Sequence, residues 1–138
     1  MNHSSNPLSR GMVIGHGVDI VEVEDFSRLT REPACSFLNR HFTNTELLDA
    51  RNGGNLTEKL AGRFAVKEAV MKALGVGWGD GVAFTDIEVV TLDSGAPTVV
   101  LRRQLASLQL QKGISGWLVS VSHTSSVAIG SVIAVSDG

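Results

Sequence analysis

Four charged side chains lie in a segment that is otherwise apolar, and together they could bind a metal ion and an anion. Residues 60–75, LAGRFAVKEAVMKALG, are predicted to form a helix with apolar residues on every side, a pattern typical of a buried helix. The segment nevertheless contains Arg63, Lys67, Glu68 and Lys72. Because an unpaired buried charge is very costly, these side chains need either partners or a chemical role. A carboxylate beside ammonium groups suits a hard cation and a phosphate, whereas the alternative is a Glu–Lys ion pair on a helix surface.

An acidic residue also interrupts an apolar strand near the N-terminus. Residues 12–23, MVIGHGVDIVEV, are rich in β-branched side chains and are predicted to form that strand. Gly15 and Gly17 weaken a strand and indicate that another backbone or a ligand comes close. Asp19 is expected to be buried, and its carboxylate either ligates a cation or caps the helix that follows.

Two features near element ends are further candidates for binding. His123 ends a predicted strand beside a turn, where functional side chains are common, although a structural role is the alternative. The glycine-rich residues 75–81 either stop the helix or present backbone N–H groups to phosphates. They do not match the P-loop pattern, and they follow a helix and precede a strand, whereas a dinucleotide loop lies between a strand and a helix.

Composition limits the class of protein. A chain of 138 residues with 43% hydrophobic and 19% charged residues predicts one globular domain, residues 12–138, after a flexible N-terminal tail, residues 1–11. A net charge of −2 leaves no global basic field to bind nucleic acid. The single cysteine excludes an internal disulfide and a multi-Cys metal site. No apolar run could span a bilayer and no signal peptide is visible, so a cytoplasmic protein without membrane contact is expected.

The elements that would position these residues alternate between helices and paired strands. Thr43 and Glu46 match a capping box, and Asn55 or Thr57 is expected to cap the central helix. The predicted elements are a strand at 12–23, helices at 24–30, 34–40, 44–51 and 60–75, strands at 83–92 and 97–101, a helix at 102–111, and strands at 117–123 and 127–135. This order predicts an α+β fold with an antiparallel sheet around the long central helix.

The spacing of two motifs resembles the signature of the 4′-phosphopantetheinyl transferases. The sequence GVD at residues 17–19 is followed, after 44 intervening residues (20 to 63), by FAVKEAVMK at residues 64–72. In particular, the chain is similar to the small bacterial holo-[acyl-carrier-protein] synthases over about residues 12–135. Further matches are FTxxE at 42–46, LAGRF at 60–64, KALGVG at 72–77, DIEV at 86–89, GxP at 95–97 and VSH at 121–123. The resemblance implies the transferase fold of that family.

The resemblance also implies which residues form the site. Asp19 and Glu68 match the family's magnesium ligands, and Lys72 matches the lysine that contacts the pyrophosphate of coenzyme A. Arg63 and His123 match family positions near the nucleotide and its 3′-phosphate. Gly75 matches a glycine at the nucleotide loop. Small members of the family are homotrimers with sites between subunits, so a neighbouring chain and coenzyme A would cover the charges of the central helix.

The implied reaction moves the 4′-phosphopantetheine arm of coenzyme A to a serine of apo acyl carrier protein and releases 3′,5′-ADP. Asp19, Glu68 and Lys72 are the implied catalytic residues. The base that takes the serine proton is open between Glu68, Asp19 and a metal-bound water. The pathway is open as well, between fatty acid biosynthesis and other uses of a carrier. Two alternatives are a non-catalytic trimeric scaffold that binds coenzyme A and a magnesium-dependent hydrolase of its pyrophosphate.

Docking of an acidic carrier protein calls for basic residues near the site. Family members often carry them on the helix after the GxD strand, but here that segment begins with Glu22, Glu24 and Asp25. Arg28 and Arg31 follow, three residues apart and therefore neighbours on a helical face. We expect these two arginines to be the principal carrier contacts, and the alternative is that both are solvated surface residues.

Overall fold

The computed structural model describes residues 11–31, 34–79 and 81–137; apart from Gly11, the predicted N-terminal tail lies outside them. The elements in chain order are β1 (Met12–Glu22), α1 (Val23–Arg31), α2 (Ala34–His41), α3 (Asn44–Ala50), α4 (Leu56–Leu74), a 3-10 turn (Phe84–Asp86), β2 (Ile87–Thr91), β3 (Pro97–Leu101), α5 (Gln104–Gln111), β4 (Gly116–His123) and β5 (Val127–Ser136). Within the described ranges, no helix combines the length and the apolar character needed to cross a membrane.

The strands form an antiparallel sheet and a separate hairpin. The sheet has the order β1-β5-β4, and β2 pairs with β3 in the hairpin. Strand β5 lies between the two strands that carry candidate site residues: Asp19 of β1 is opposite Gly130, and His123 of β4 is opposite Ala128. The predicted α+β fold, with an antiparallel sheet beside a long helix, is confirmed.

Helix α4 begins and ends at residues whose backbone lies in the left-handed region. Asn55, one of the two expected caps, is the N-cap with φ of 62°, but its side chain makes no capping hydrogen bond. Asparagine tolerates this region better than most residues. Asn55 can therefore form the turn into the helix without a capping hydrogen bond from its side chain. At the other end Gly75 has φ of 73°, and its N–H donates to the Met71 carbonyl, as expected for a helix stop.

The sheet packs against α4 with backbone directly on backbone. A Cβ atom at Gly17 would lie 1.9 Å from the Ala69 carbonyl oxygen, and one at Gly15 would lie 2.2 Å from the Ala73 carbonyl oxygen. The close approach predicted from these two glycines is therefore made by the backbone of α4. Because no side chain separates β1 from the helix, the contact fixes the distance between Asp19 and α4.

Substitution of Gly17 by alanine is expected to destabilise the fold, because β1 would have to move away from α4. Overpacking of this kind costs up to about 3 kcal/mol in free energy of unfolding. Urea denaturation of Gly17→Ala would measure the loss. Gly54→Ala is the matched control, since a Cβ at Gly54 meets nothing within 4 Å. Equal midpoints for the two variants would contradict the close contact.

Helix α4 is buried on most of its surface, as its apolar pattern predicts. One group of buried side chains joins it to the sheet, the hairpin and α5, and includes Val66, Val70, Leu74, Ile87, Leu105 and Val132. A second group joins it to α1, α2 and α3, and includes Phe26, Phe37, Phe42, Leu47 and Leu60. The helix therefore lies between two apolar clusters.

The sheet leaves large apolar side chains exposed on the face away from α4. Val18 and Ile20 of β1, Leu118 of β4 and Ile129 of β5 are all exposed in the single chain. Ile20 and Ile129 are directly opposite each other across the strand pair. Contiguous apolar side chains on a sheet face are typical of an interaction surface.

Candidate active site

Strand β1 and helix α4 bring an aspartate and a lysine into contact. The Lys72 ammonium donates to Asp19 Oδ1 at 2.9 Å and to the Val18 carbonyl oxygen at 3.0 Å. The Asp19 side chain is 19% exposed and the Lys72 side chain 57% exposed, so the pair opens toward solvent from the lysine side. Asp19 thus faces α4 and does not cap α1. Of the two alternatives for this residue, helix capping is therefore excluded.

Glu68 lies one helical turn before Lys72 but is not bonded to it. Glu68 Oε1 accepts a hydrogen bond from the indole Nε1–H of Trp78 at 2.5 Å, while Lys72 bonds to Asp19. The alternative of a Glu68–Lys72 pair on the helix surface is therefore wrong. Trp78 comes from the glycine-rich loop after α4, and its contact with Glu68 was missed from the sequence because it depends on how that loop folds.

Arg63 and His123 line a cavity on another side of α4. This cavity has a volume of about 140 Å³, and Lys59 and Pro97 contribute to its wall. Arg63 donates to Asp49 Oδ2 at 2.8 Å through one terminal nitrogen, but its Nε is buried without a hydrogen-bond partner. His123 Nδ1 lies 3.0 Å from Glu58 Oε1. An unpaired guanidinium donor beside a lysine and a histidine suits an anion.

The candidate residues therefore fall into two groups within one chain. Arg63 and Lys72 are nine residues apart, which places them on opposite sides of α4 and about 13 Å apart along its axis. Asp19 and Lys72 are in contact on one side, with Glu68 one turn away, and Arg63 and His123 line the cavity on the other side. Gly75 forms the C-terminal cap of α4, next to the first group.

A buried ion pair supports α4 beside Glu68. The Lys67 ammonium donates to Glu46 Oε1 at 2.8 Å and to the Phe84 carbonyl oxygen at 3.0 Å, and neither charged side chain is exposed to solvent. Burial lowers the pKa of Lys67, and the charge of Glu46 opposes that shift. The predicted capping box of Thr43 and Glu46 is confirmed, and the same carboxylate also binds Lys67.

Two further acidic side chains are held in their charged form near β2. A hydrogen bond from Arg103 is the main cause that lowers the pKa of Asp86, whose two oxygens each accept from that guanidinium at 2.7 Å. A hydrogen bond from Thr43 is the main cause that lowers the pKa of Glu88, which also pairs with Arg102. These residues hold the hairpin against α3 and α5. The hairpin in turn forms part of the wall of the Arg63 and His123 cavity.

Asp19 and Glu68 would supply two carboxylates to a magnesium ion, which is the number that a protein commonly contributes. Mg²⁺ is commonly held by one or two carboxylates, with waters and substrate phosphates as its other ligands. The two residues come from elements in direct backbone contact, and the ammonium of Lys72 beside them suits a phosphate. The described part of the chain has no cluster of three or more His, Cys, Asp or Glu side chains, so a cation here would take its remaining ligands from water and substrate.

A family model matches most of the chain. The model of the 4′-phosphopantetheinyl transferase superfamily matches residues 15–129, a range that includes both motifs and His123. The chain belongs to this superfamily. The resemblance found from the sequence is confirmed, and the family is one of transferases, which confirms the expectation of an enzyme.

Relatives and solved structures agree with the family. The chain is 40% identical over 124 residues to the holo-[acyl-carrier-protein] synthase of Koribacter versatilis, covering 88% of this chain and 98% of the relative. It is 36% identical over 122 residues to that of Solibacter usitatus, with the same coverage. The Neisseria meningitidis synthase structure has a TM-score of 0.80 at 32% identity, with 89% of this chain and 98% of that one covered. A Helicobacter pylori synthase solved with coenzyme A has a TM-score of 0.76 at 28% identity, covering 86% and 98%.

Proposed function

We propose that the protein transfers the 4′-phosphopantetheine group of coenzyme A to a serine of an apo acyl carrier protein and releases 3′,5′-ADP in a magnesium-dependent reaction. The observation that carries this proposal is the contact of Asp19 with Lys72, one helical turn from Glu68, in a chain of this family. Asp19 and Glu68 would supply two carboxylates for a cation, and Lys72 would supply one ammonium for a phosphate.

The reaction needs alignment and charge neutralisation more than covalent help. The serine oxygen attacks the phosphorus that carries the pantetheine arm, and the bond from that phosphorus to the bridging oxygen breaks. The leaving 3′,5′-ADP takes the bonding electrons, and the serine proton passes to a basic group at the site. Asp19 and Glu68 would hold Mg²⁺, which would supply charge neutralisation at the pyrophosphate. Lys72 is exposed enough to turn from Asp19 to a phosphate oxygen and offset charge on the leaving group.

The cavity of Arg63 and His123 would take the nucleotide end of coenzyme A. The unpaired Arg63 Nε, the nearby Lys59 and the His123 ring offer donors for the 3′-phosphate. Gly75 would lie beside the nucleotide, at the start of the glycine-rich loop. Since this cavity and Lys72 are on different sides of α4, one coenzyme A molecule would reach both groups only between two chains.

Incubation with coenzyme A, with and without an apo carrier protein, tests the proposed reaction. We expect transfer of the arm, seen as a mass increase of the carrier, and 3′,5′-ADP only when both carrier and Mg²⁺ are present. Cleavage of coenzyme A without carrier would indicate a pyrophosphate hydrolase instead. Binding of coenzyme A without either product would indicate a scaffold. Either of these two results would overturn the proposal.

The exposed apolar face of the sheet supports a homotrimer with sites between subunits. Val18, Ile20, Leu118 and Ile129 would be buried by neighbouring copies, which would also bring the Arg63 group of one chain to the Asp19 group of the next. Contact between copies through this face would account for the uncovered apolar surface.

Light scattering is expected to give a mass three times the 14.6 kDa of one chain. Ile129→Asp, on the exposed sheet face, should lower the mass and the transfer rate together, because burying an unpaired charge at an interface is costly. Leu110→Asp is the matched control, since Leu110 is 81% exposed on α5, away from the sheet. Active monomers, or equal effects of the two variants, would argue against this assembly.

Arg28 and Arg31 remain the proposed contacts for the carrier protein. Both are exposed on α1, but Arg28 forms an ion pair with Asp25 at 2.7 Å, so Asp25 shares its face and reduces its charge. Arg31 donates to the Ser27 carbonyl oxygen at the end of the helix. Exposed pairs of this kind contribute little to stability, so both guanidinium groups are available to an acidic partner.

Replacement of both arginines, Arg28→Glu with Arg31→Glu, is expected to raise the KM for the carrier and leave that for coenzyme A nearly unchanged. Rising salt should weaken carrier use more in the parent than in this variant, because charges are screened beyond about 10 Å at 0.1 M salt. Steady-state kinetics at low salt measures the effect. Arg51→Glu with Lys112→Glu changes the net charge equally and is the control. Parental carrier kinetics in the first variant would place docking elsewhere.

A further inference from the structure

The indole ring of Trp78 is held between Glu68 and a column of aromatic rings. Its Nε1–H donates to Glu68 Oε1 at 2.5 Å. Its ring stacks on Phe84, with 3.7 Å between centroids and an interplanar angle of 16°. Phe84 in turn stacks on Phe64 at 5.1 Å and 10°, and Phe64 lies on α4 one turn before Glu68. The ring is therefore fixed by a polar contact at one edge and by stacking on its face.

The loop that presents Trp78 has a backbone shape that requires glycine. Gly75, Gly79 and Gly81 have φ values of 73°, 123° and 85°. The Val82 N–H donates to the Gly79 carbonyl oxygen at 3.0 Å and closes the turn after Trp78. Side chains with a Cβ rarely adopt such φ values, so these glycines have a structural reason that does not involve a nucleotide. They bring an aromatic residue back onto the last turns of α4.

The two proposed metal ligands have partners of different charge. Asp19 pairs with the Lys72 ammonium, which repels a cation and has to share or leave the carboxylate when one binds. Glu68 is bonded to an indole, which is neutral and can only donate. This partner can therefore stay in place while a cation binds the other carboxylate oxygen. A fixed hydrogen bond also reduces the number of conformations that Glu68 can adopt before the cation binds.

We propose that Trp78 is a positioning residue that holds one oxygen of Glu68 through the indole N–H and leaves the other oxygen for a divalent cation. The inference rests on the proposed function, because it assigns Trp78 to the carboxylate that would hold Mg²⁺. Partners of metal ligands in other proteins change metal affinity or activity by roughly 10- to 100-fold when removed.

Trp78→Phe tests the hydrogen bond, because phenylalanine keeps the stacking on Phe84 and lacks the N–H. Trp117→Phe is the matched control: it removes the chain's other indole, whose Nε1–H donates to Gln109 at 2.7 Å. The dissociation constant of Mn²⁺, measured by electron paramagnetic resonance with coenzyme A and no carrier, should rise roughly tenfold in Trp78→Phe and stay at the parental value in Trp117→Phe. Equal constants in the two variants would overturn the inference.

Kinetics separates positioning from a damaged fold. The transfer rate of Trp78→Phe should be low at limiting Mg²⁺ and return close to the parental rate at saturating Mg²⁺, since the metal ligand is present but less ordered. A rate that stays low at every Mg²⁺ concentration, together with a parental Mn²⁺ constant, would show that Trp78 acts only on the fold.

Fluorescence gives a direct readout of the contact. In Trp117→Phe the only tryptophan is Trp78, so its emission should change as Mg²⁺ is added with coenzyme A. The change should disappear when Glu68→Gln is added to the same chain. Unchanged emission in a Trp117→Phe protein that transfers the arm would overturn the role of Trp78 and leave the proposed function intact. Absence of both transfer and Mn²⁺ binding in the parent would instead count against the proposed function.

Discussion

Asp19→Asn and Glu68→Gln are each expected to lower the rate of transfer by about two to three orders of magnitude while the protein stays folded. A metal ion contributes several kcal/mol of charge stabilisation in the transition state, and each 1.4 kcal/mol corresponds to about a tenfold change in rate. The amides keep the shape of the side chains but lose the charge that would hold the cation. Steady-state transfer to an apo carrier, with excess Mg²⁺, measures the loss.

The matched control for both variants is Glu22→Gln. Glu22 lies on the same strand as Asp19 and is exposed. Its replacement by glutamine removes the same charge, but among the described residues Glu22 has no ion pair with α4 like that of Asp19. Its rate should remain close to the parental rate, and circular dichroism should show the same melting temperature for all three variants within a few degrees. Parental rates in both Asp19→Asn and Glu68→Gln would remove these residues from the site.

Lys67→Met is expected to cause the largest loss of stability, about 3–5 kcal/mol, because it leaves the charge of Glu46 buried without its ionic partner. Glu46 would keep only backbone donors, the N–H groups of Thr43 and Val89, each at 2.8 Å. A loss of this size corresponds to a fall of about 10–20 °C in melting temperature for a domain of this length. Urea denaturation and thermal melting both measure it.

The double variant Lys67→Met with Glu46→Gln distinguishes the cost of an unpaired Glu46 charge from the cost of lost packing around Lys67. A neutral glutamine can still accept from the two backbone donors, so the double variant should recover much of the stability that the single variant loses. Losses that simply add would show that the charge of Glu46 is not the cause. Arg28→Met, which breaks the exposed pair with Asp25, is the control and should change stability by less than about 1 kcal/mol.

Short-range patterns were enough to predict most of the elements. The capping box of Thr43 and Glu46, the helix stop at Gly75 and the close approach at Gly17 are all seen in the structure, because each depends on a few neighbouring residues or on a missing Cβ. The fold class followed from the order of these elements. The candidate site came from two motifs and their spacing, and the contact of Asp19 with Lys72 was seen only in the structure.

Long-range pairings were not predictable in this way. Lys67 and Arg63 share a stripe of α4 and looked alike in the sequence, yet Lys67 is buried on Glu46, 21 residues away, while Arg63 opens into a cavity. The partner of Glu68 depends on Trp78 and on positive φ values in a loop that no periodicity describes. Such contacts are decided by tertiary packing. The sequence alone therefore identified the charged residues but did not predict which of them form ion pairs or hydrogen bonds with each other.

The position of β1 at one end of the chain and β5 at the other has a consequence for synthesis on the ribosome. Asp19 faces Gly130, so β1 is translated on the order of ten seconds before its neighbour, at the usual 5–20 residues per second. During that interval an apolar strand has no β5 to pair with. A negative charge in its middle, at Asp19, disfavours pairing with other nascent chains. The residue proposed for chemistry in the finished enzyme would therefore also keep the unfinished chain from aggregating.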